Sequence, residues 1–145
     1  MSSILRISEA ANLGIHALVY LTLVSSYSPC SASVIAKALA VSESHLAKVM
    51  QRLVAAGMVR STRGAKSGFS IIAVPEQTSL MRVLEAIDGP MVASGCLLGR
   101  DACVAHLCWL ANLENDAIKL VHQHLDTVTL ADVARPTRTT PARET

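Results

Sequence analysis

The chain has 145 residues and a net charge of +2, and 51% of its residues are apolar although it has only one Phe, two Tyr and one Trp. This length favours one domain with a real core, and a core so poor in aromatic side chains must be aliphatic, which suits helices. No apolar run approaches the ~18 residues that a membrane span needs, and the first residues lack a signal-peptide pattern. We therefore expect a cytoplasmic protein without a membrane partner, whose four cysteines are ligands or free thiols rather than disulfides.

The small net charge conceals an asymmetry between the two halves of the chain. Residues 1–72 contain seven Lys/Arg and two Asp/Glu, a net of +5, whereas residues 73–145 contain six and nine, a net of −3. A basic half of this kind is typical of a region that meets nucleic-acid phosphate.

Two helices are predicted before residue 41. Ser8 can cap a helix that runs to about Val24, and its apolar surface is broader than one stripe, which indicates burial on two sides, including against a partner subunit. A short helix from Ser33 to Ala40 follows a turn. It ends just before the start of the next helix, so the two helices meet across a tight corner, as in a helix-turn-helix.

The third predicted helix has the pattern of a DNA-recognition helix. Ser42 is a suitable N-cap, Gly57 a suitable left-handed C-cap, and apolar residues recur at spacings of three and four. Its first two turns would reach base edges or flanking phosphates in a major groove. The candidate contacts, of which Lys48 and Arg52 are expected at phosphates, are Ser42, Ser44, His45, Lys48 and Arg52.

A basic β-hairpin is predicted directly after this helix, with strands at Met58–Thr62 and Phe69–Val74. We call residues 58–74 the wing. The turn between the strands contains Arg63, Gly64 and Lys66, a composition suited to reaching DNA backbone or a minor groove. Helix-turn-helix and wing together predict a mainly α fold with a small β-hairpin, a winged helix-turn-helix over residues 1–77. The alternative is a surface helix followed by an ordinary hairpin.

The second half is predicted to be a dimerisation region over residues 78–133, followed by a disordered tail over residues 134–145. Thr78 or Ser79 caps a helix from Leu80 to Asp88, which Gly89 and Pro90 stop. A long helix then runs from near Leu107 to about Val128, with near coiled-coil spacing. Such a helix usually needs a partner, and the simplest is its own copy, so we expect a homodimer on a palindromic operator in double-stranded DNA. Packing back on the same chain is the alternative.

Three cysteines lie in the irregular segment between these helices. Cys96, Cys103 and Cys108 are separated by six and four residues. Closely spaced thiolates in a reducing compartment indicate a metal or iron–sulfur site, with zinc as one alternative and buried small side chains as another. A fourth ligand must come from elsewhere. Cys30 stands apart and is interpreted as an ordinary thiol.

The chain resembles the IscR/NsrR-type winged-helix transcriptional regulators from Arg6 to Val133. The resemblance rests on LGIHALVYL in the first helix, VRSTRGAKSGF within the wing, the three cysteines and the closing TLADV. It implies a homodimer with long crossed C-terminal helices, operator binding that usually represses, and control by an iron–sulfur cluster, either [2Fe–2S] or [4Fe–4S]. Relatives take their fourth ligand from different places, including a first-helix carboxylate at the position of Asn12 and a histidine at the position of His16.

His16 is the preferred fourth ligand, because iron–sulfur iron accepts imidazole in place of thiolate. Asn12 and His106 are the alternatives, and a core or interface histidine is the other interpretation of His16. The sequence therefore predicts a DNA-binding repressor that senses iron–sulfur status, redox state or nitric oxide. The rival is a cluster-free regulator that uses its cysteines as redox thiols or a zinc site. No catalytic triad, phosphate loop or C-x-x-C motif supports an enzyme.

Overall fold

A computed structural model describes residues 7–24, 28–92 and 109–135, with only the backbone for residues 109–111. The prediction of a mainly helical fold with one small hairpin is confirmed within these residues. The elements, with a 3₁₀ turn at Pro75–Gln77, are α1 (Glu9–Val24), α2 (Ala32–Ala38), α3 (Glu43–Ala55), β1 (Val59–Thr62), β2 (Gly68–Ile71), α4 (Leu80–Asp88), α5 (Trp109–Thr127) and α6 (Leu130–Ala134). No helix in the described ranges is long and apolar enough to cross a membrane.

The helix-turn-helix corner is formed by α2 and α3. Ser31 caps α2, accepting a hydrogen bond from the Val34 N–H, and Ser42 caps α3 in the same way. The predicted bounds of α2 were wrong by one or two residues, since it begins at Ala32 and ends at Ala38. Ala40 has a φ of 54°, and this left-handed backbone cannot continue a helix.

The hairpin is antiparallel, with Val59 opposite Ile71 and Thr62 opposite Gly68. Its second strand is shorter than predicted, because the amides of Ile72 and Ala73 both donate to the Met58 carbonyl and leave the ladder. A third segment pairs with it: the Cys30 N–H donates to Phe69 O at 2.9 Å, and the Phe69 N–H donates to Cys30 O at 2.8 Å. These two bonds fix the wing to the chain that enters α2.

The start of α4 and the end of the described chain are joined by backbone hydrogen bonds. Ser79, one of the two predicted caps, accepts from the Arg82 N–H. The Leu80 N–H donates to Val128 O, and the Leu130 N–H donates to Thr78 O, both at 2.9 Å. The start predicted for the long helix, near Leu107, lies outside the described residues.

Helix α6 was not predicted. A capping box begins it, because Thr129 Oγ1 accepts from the Asp132 N–H while the Asp132 carboxylate accepts from the Thr129 N–H. This backbone hydrogen bond and the Thr129 hydroxyl lower the pKa of Asp132 below its ordinary value of 3.8. Leu130 is fully buried, so the short helix is anchored in the core.

One hydrophobic core joins both halves of the chain. It includes Leu18 and Leu21 of α1, Leu53 of α3, Leu84 of α4 and Leu130 of α6. The division predicted at residue 77 therefore lies within a single packed core, and α1, α3 and α4 meet in it as one unit.

Candidate nucleic-acid interface

The outer face of α3 presents the predicted contact residues to solvent. Its inner face buries Leu46, Val49, Met50 and Leu53, which leaves Ser42, Ser44 and Lys48 exposed and His45 half-buried. Ser42 Oγ accepts from the His45 N–H at 3.3 Å and lies 3.4 Å from Ser44 Oγ, where either hydroxyl can donate. The start of α3 is therefore capped by Ser42, while Ser42, Ser44 and Lys48 are exposed to solvent.

Arg52 differs from the other candidates. It is exposed overall, but its Nη1 donates to the Ile87 carbonyl oxygen at 2.9 Å, across the contact between α3 and α4. This bond could not be predicted, because the two residues are 35 positions apart and a backbone carbonyl has no sequence pattern.

The tip of the wing carries two cations on a tight turn. Arg63, Gly64 and Lys66 are all exposed, and the Ser67 N–H donates to Gly64 O at 3.0 Å. Gly64 has a φ of 99°, a backbone conformation that residues other than glycine rarely adopt. The turn therefore places Arg63 and Lys66 at either side of a glycine that lets the backbone come close to a ligand.

An open cleft of about 490 Å³ connects the wing to the start of α3 and the N-terminal end of α2. Five of its eleven lining residues carry hydroxyls, and it has one cation and one carboxylate. The sequence analysis did not identify six polar lining residues as site residues, although Ser31 has the pattern of an N-cap: Ser31, Ser33, Glu43, Ser61, Thr62 and Ser67.

The cations on the exposed face of α3 and at the wing tip have no acidic partner among the described residues. Within the described residues, the ion pairs join Lys119 to Asp116 and Arg135 to Asp132, and all four residues are far from the wing in sequence. Lys48, Arg63 and Lys66 make no ion pair with any described residue, so their charge is available to an external anion such as phosphate.

The candidate metal ligands are only partly within the described ranges. Cys96, Cys103, Cys108 and His106 lie outside them. Asn12 and His16 are both exposed on α1, so His16 is not a core histidine in the single chain. Its Nδ1 lies 2.9 Å from the Asn12 carbonyl oxygen. No group of three or more potential metal ligands comes together within the described residues.

Helix α5 has an exposed apolar stripe. Leu113 is 54% exposed and Leu120 is 68% exposed, and they share a helix face with Ala117 and His124. The opposite face contacts the rest of the chain, where His122 Nε2 lies 3.1 Å from the Met91 carbonyl oxygen.

A helix-turn-helix with its polar face outward, a basic hairpin beside it and a shared cleft define a winged-helix DNA-binding regulator. Comparison with known proteins agrees with this class. A family profile, Rrf2, described as an iron-dependent transcriptional regulator, matches residues 7–136. The chain belongs to the Rrf2 family of transcriptional regulators, which confirms the predicted resemblance.

The individual proteins that match have low sequence identity to this chain. A Synechocystis protein with a proposed assignment as an HTH-type transcriptional regulator is 29% identical over 84 residues, which are 58% of this chain. That match spans 57% of the length of the Synechocystis protein.

Solved structures match over more of the chain. CymR, the global cysteine regulator of B. subtilis, is 28% identical with a TM-score of 0.69, covering 90% of this chain and 96% of that one. T. potens IscR is 22% identical with a TM-score of 0.72, covering 89% and 85%. A crystal structure from Listeria innocua is 21% identical with a TM-score of 0.78, covering 100% and 96%. At these identities the last two show a common fold.

Proposed function

We propose that this chain is a homodimeric repressor that binds a palindromic operator through α3 and the wing and is controlled by an iron–sulfur cluster. The observation that supports operator binding most strongly is the shared cleft. The wing, through Arg63 and Gly64, and the first residue of α3, Glu43, line one concave surface. Lys48, Arg63 and Lys66, on α3 and the wing, have no acidic partner among the described residues.

The proposed DNA contacts follow from side-chain chemistry and position. Ser44 and His45 can both donate and accept, so they suit base edges in the major groove. Ser42 and Lys48 suit flanking phosphates, and a neutralised phosphate makes binding depend on salt. Arg63 at the wing tip suits a narrow minor groove, where the negative potential is strongest, with Gly64 allowing close approach and Lys66 at the backbone.

Assembly is supported by the apolar stripe on α5. Leu113 and Leu120 are more than half exposed in the single chain. Burial of a leucine side chain is stabilising, so this exposed surface favours association with a partner. A second copy related by a two-fold axis would cover both stripes at once, and two reading heads then imply a palindromic site.

The cluster would be held by Cys96, Cys103 and Cys108, with His16 as the proposed fourth ligand. One observation on His16 fits this role. A carbonyl oxygen can only accept, so the 2.9 Å contact with Asn12 O requires the proton on Nδ1 and leaves the lone pair of Nε2 facing outward. Metal-bound histidines commonly donate their other ring N–H in this way. A bound cluster would supply chemistry that responds to iron supply, oxidants and nitric oxide.

A cluster-free regulator is the second candidate, and a specific comparison favours it. CymR, described as a cysteine regulator, is the more similar in sequence of the two named structural relatives, at 28% against 22% identity. In this version the cysteines act as redox thiols or bind zinc.

The test is anaerobic reconstitution with iron and sulfide, followed by absorption and Mössbauer spectra and by selection of operators from a random DNA library. We expect iron–sulfur absorption that is lost in Cys96→Ala, Cys103→Ala and Cys108→Ala. Cys30→Ser is the matched control, because Cys30 contacts the wing through its backbone and should retain the cluster. An unchanged spectrum in His16→Ala would remove His16 as ligand, and zinc or no metal after reconstitution would favour the cluster-free candidate.

A further inference from the structure

The last turn of α4 contacts both α3 and α1. The final carbonyl groups of a helix have no partner within it, and the Ile87 carbonyl takes its hydrogen bond from Arg52 Nη1 of α3 at 2.9 Å. A cation is also favourable at this end of a helix, where the backbone dipoles are negative. The bond therefore connects the end of α4 to the C-terminal half of α3.

The Ile87 side chain fixes the same turn against α1. Ile87 is 6% exposed and fills the space above Gly14, where an added Cβ would clash with Ile87 Cδ1 and lie 3.4 Å from Val49 Cγ1. A glycine inside a helix is less favourable than alanine, because it loses more backbone freedom on folding. Its presence in the middle of α1 lets α4 and α3 both approach at one point.

The next residue fastens the start of α1. The Asp88 carboxylate accepts hydrogen bonds from the Ser8 N–H, at 2.9 Å, and from the Ser8 hydroxyl. Ser8 is also the N-cap of α1, because its Oγ accepts from the Ala11 N–H at 3.0 Å. Two consecutive residues of α4 therefore bind α3 and α1 by different chemistry.

We infer that Ile87 and Asp88 form a junction that sets the position of α3 relative to α1, and that Arg52 is a positioning residue for DNA recognition rather than a phosphate contact. Lys48 lies one turn before Arg52 on α3. A shift at Arg52 is therefore transmitted along the helix to the residues proposed to meet DNA. This inference rests on the proposed DNA-binding function and replaces the role expected for Arg52.

The first experiment measures operator affinity over a range of salt concentrations for Arg52→Met and Arg52→Lys. Methionine retains an unbranched apolar stem, although it is shorter than arginine, and removes every donor. Arg52→Met should therefore bind about three- to thirtyfold more weakly with an unchanged salt slope. Lysine restores a charged donor and should recover most of the affinity. Lys48→Ala is the comparison, because loss of a true phosphate contact lowers the slope by about 0.9.

The second experiment uses the other half of the junction. Asp88→Ala removes a negative charge, so electrostatics alone would strengthen DNA binding, whereas loss of the Ser8 contact should weaken it. Glu85→Ala is the matched control, since Glu85 is an exposed carboxylate on the same helix. The double variant of Arg52→Met and Asp88→Ala should lose less than the sum of the single losses, because both act on one junction.

Circular dichroism and unfolding curves establish that each variant is folded, and Asp88→Ala tests the junction even if Arg52→Met does not fold. A slope lowered by about 0.9 in Arg52→Met, or unchanged affinity in both Arg52→Met and Asp88→Ala, would overturn the inference alone. Failure of the unmutated protein to bind any selected DNA would instead overturn the proposed function.

Discussion

Gly68→Ala tests how the wing is attached to the rest of the chain. A Cβ at residue 68 would lie 2.6 Å from the Cys30 carbonyl oxygen and 2.8 Å from its carbonyl carbon. Both are backbone atoms, so a side-chain rotation cannot relieve the clash. The Cys30 segment must move away, and both hydrogen bonds between Cys30 and Phe69 would be lost or lengthened.

The magnitude follows from these two bonds. Each backbone hydrogen bond contributes about 0.5–1.5 kcal/mol net, so their loss costs about 1–3 kcal/mol. Replacing a glycine with alanine at a compatible position recovers about 0.4–1 kcal/mol through the unfolded chain. We therefore expect the free energy of unfolding to fall by about 1–2 kcal/mol.

Urea unfolding at a fixed protein concentration measures this change, since assembly makes stability depend on concentration. Hydrogen exchange of the Phe69 and Cys30 amides should accelerate more than that of buried α3 amides. Ser67→Ala is the control, because it lies in the same exposed turn and adds no atom. Unchanged stability together with unchanged exchange at Phe69 would refute the account of the attachment.

The remaining predictions concern DNA contact, assembly and pH. Lys48→Ala should weaken binding to all DNA sequences about equally and reduce the salt slope by about one. Lys119→Ala is the control, because it removes a charge that is paired with Asp116 and should change neither quantity. A changed base preference of Lys48→Ala without a changed salt slope would contradict a phosphate contact. Leu113→Lys should yield monomer or aggregate in sedimentation while Gln123→Lys, also exposed on α5, stays dimeric, and a stable monomer of the unmutated protein at micromolar concentration would end the dimer proposal. The hydrogen bond from the Thr129 N–H lowers the pKa of Asp132 in the folded protein. The Asp132 carboxylate therefore stabilises α6 above pH 3.8, and this stabilisation is lost as the pH falls through the lowered pKa. An NMR titration of the Thr129 amide should show a midpoint below 3.8, and a midpoint at or above it would contradict the capping box.

Local patterns predicted most of the elements because their causes are local. Ser42 and Gly57 mark the two ends of α3 through capping chemistry, and the structure has Ser42 as N-cap and a φ of 70° at Gly57. Helix α6 could have been predicted on the same grounds, because Thr129 and Asp132 have the spacing of a capping box. Its five residues lack the periodicity that identifies longer helices.

Long-range contacts could not be predicted in this way. The bond from Arg52 to Ile87 O ends on a backbone carbonyl, and the pairing of Cys30 with Phe69 uses only backbone atoms. Neither leaves a residue pattern. The wing cations were predicted from composition alone, because a turn with Arg63 and Lys66 on either side of Gly64 is local. The cleft beside them depends on the pairing of Cys30, just before α2, with Phe69 of β2.

The most direct test of the proposed function is a hydroxyl-radical footprint of the dimer on a selected operator, with Arg63→Ala and Arg138→Ala compared at matched salt. We expect two protected half-sites about one helical turn apart, or a multiple of it, each flanked by minor-groove protection from the wing. Arg63→Ala should lose that flanking protection and more affinity than Arg138→Ala, which removes an equal charge near the end of the sequence. Equal losses in the two variants, or a footprint without two-fold symmetry, would contradict operator recognition by α3 and the wing of a dimer.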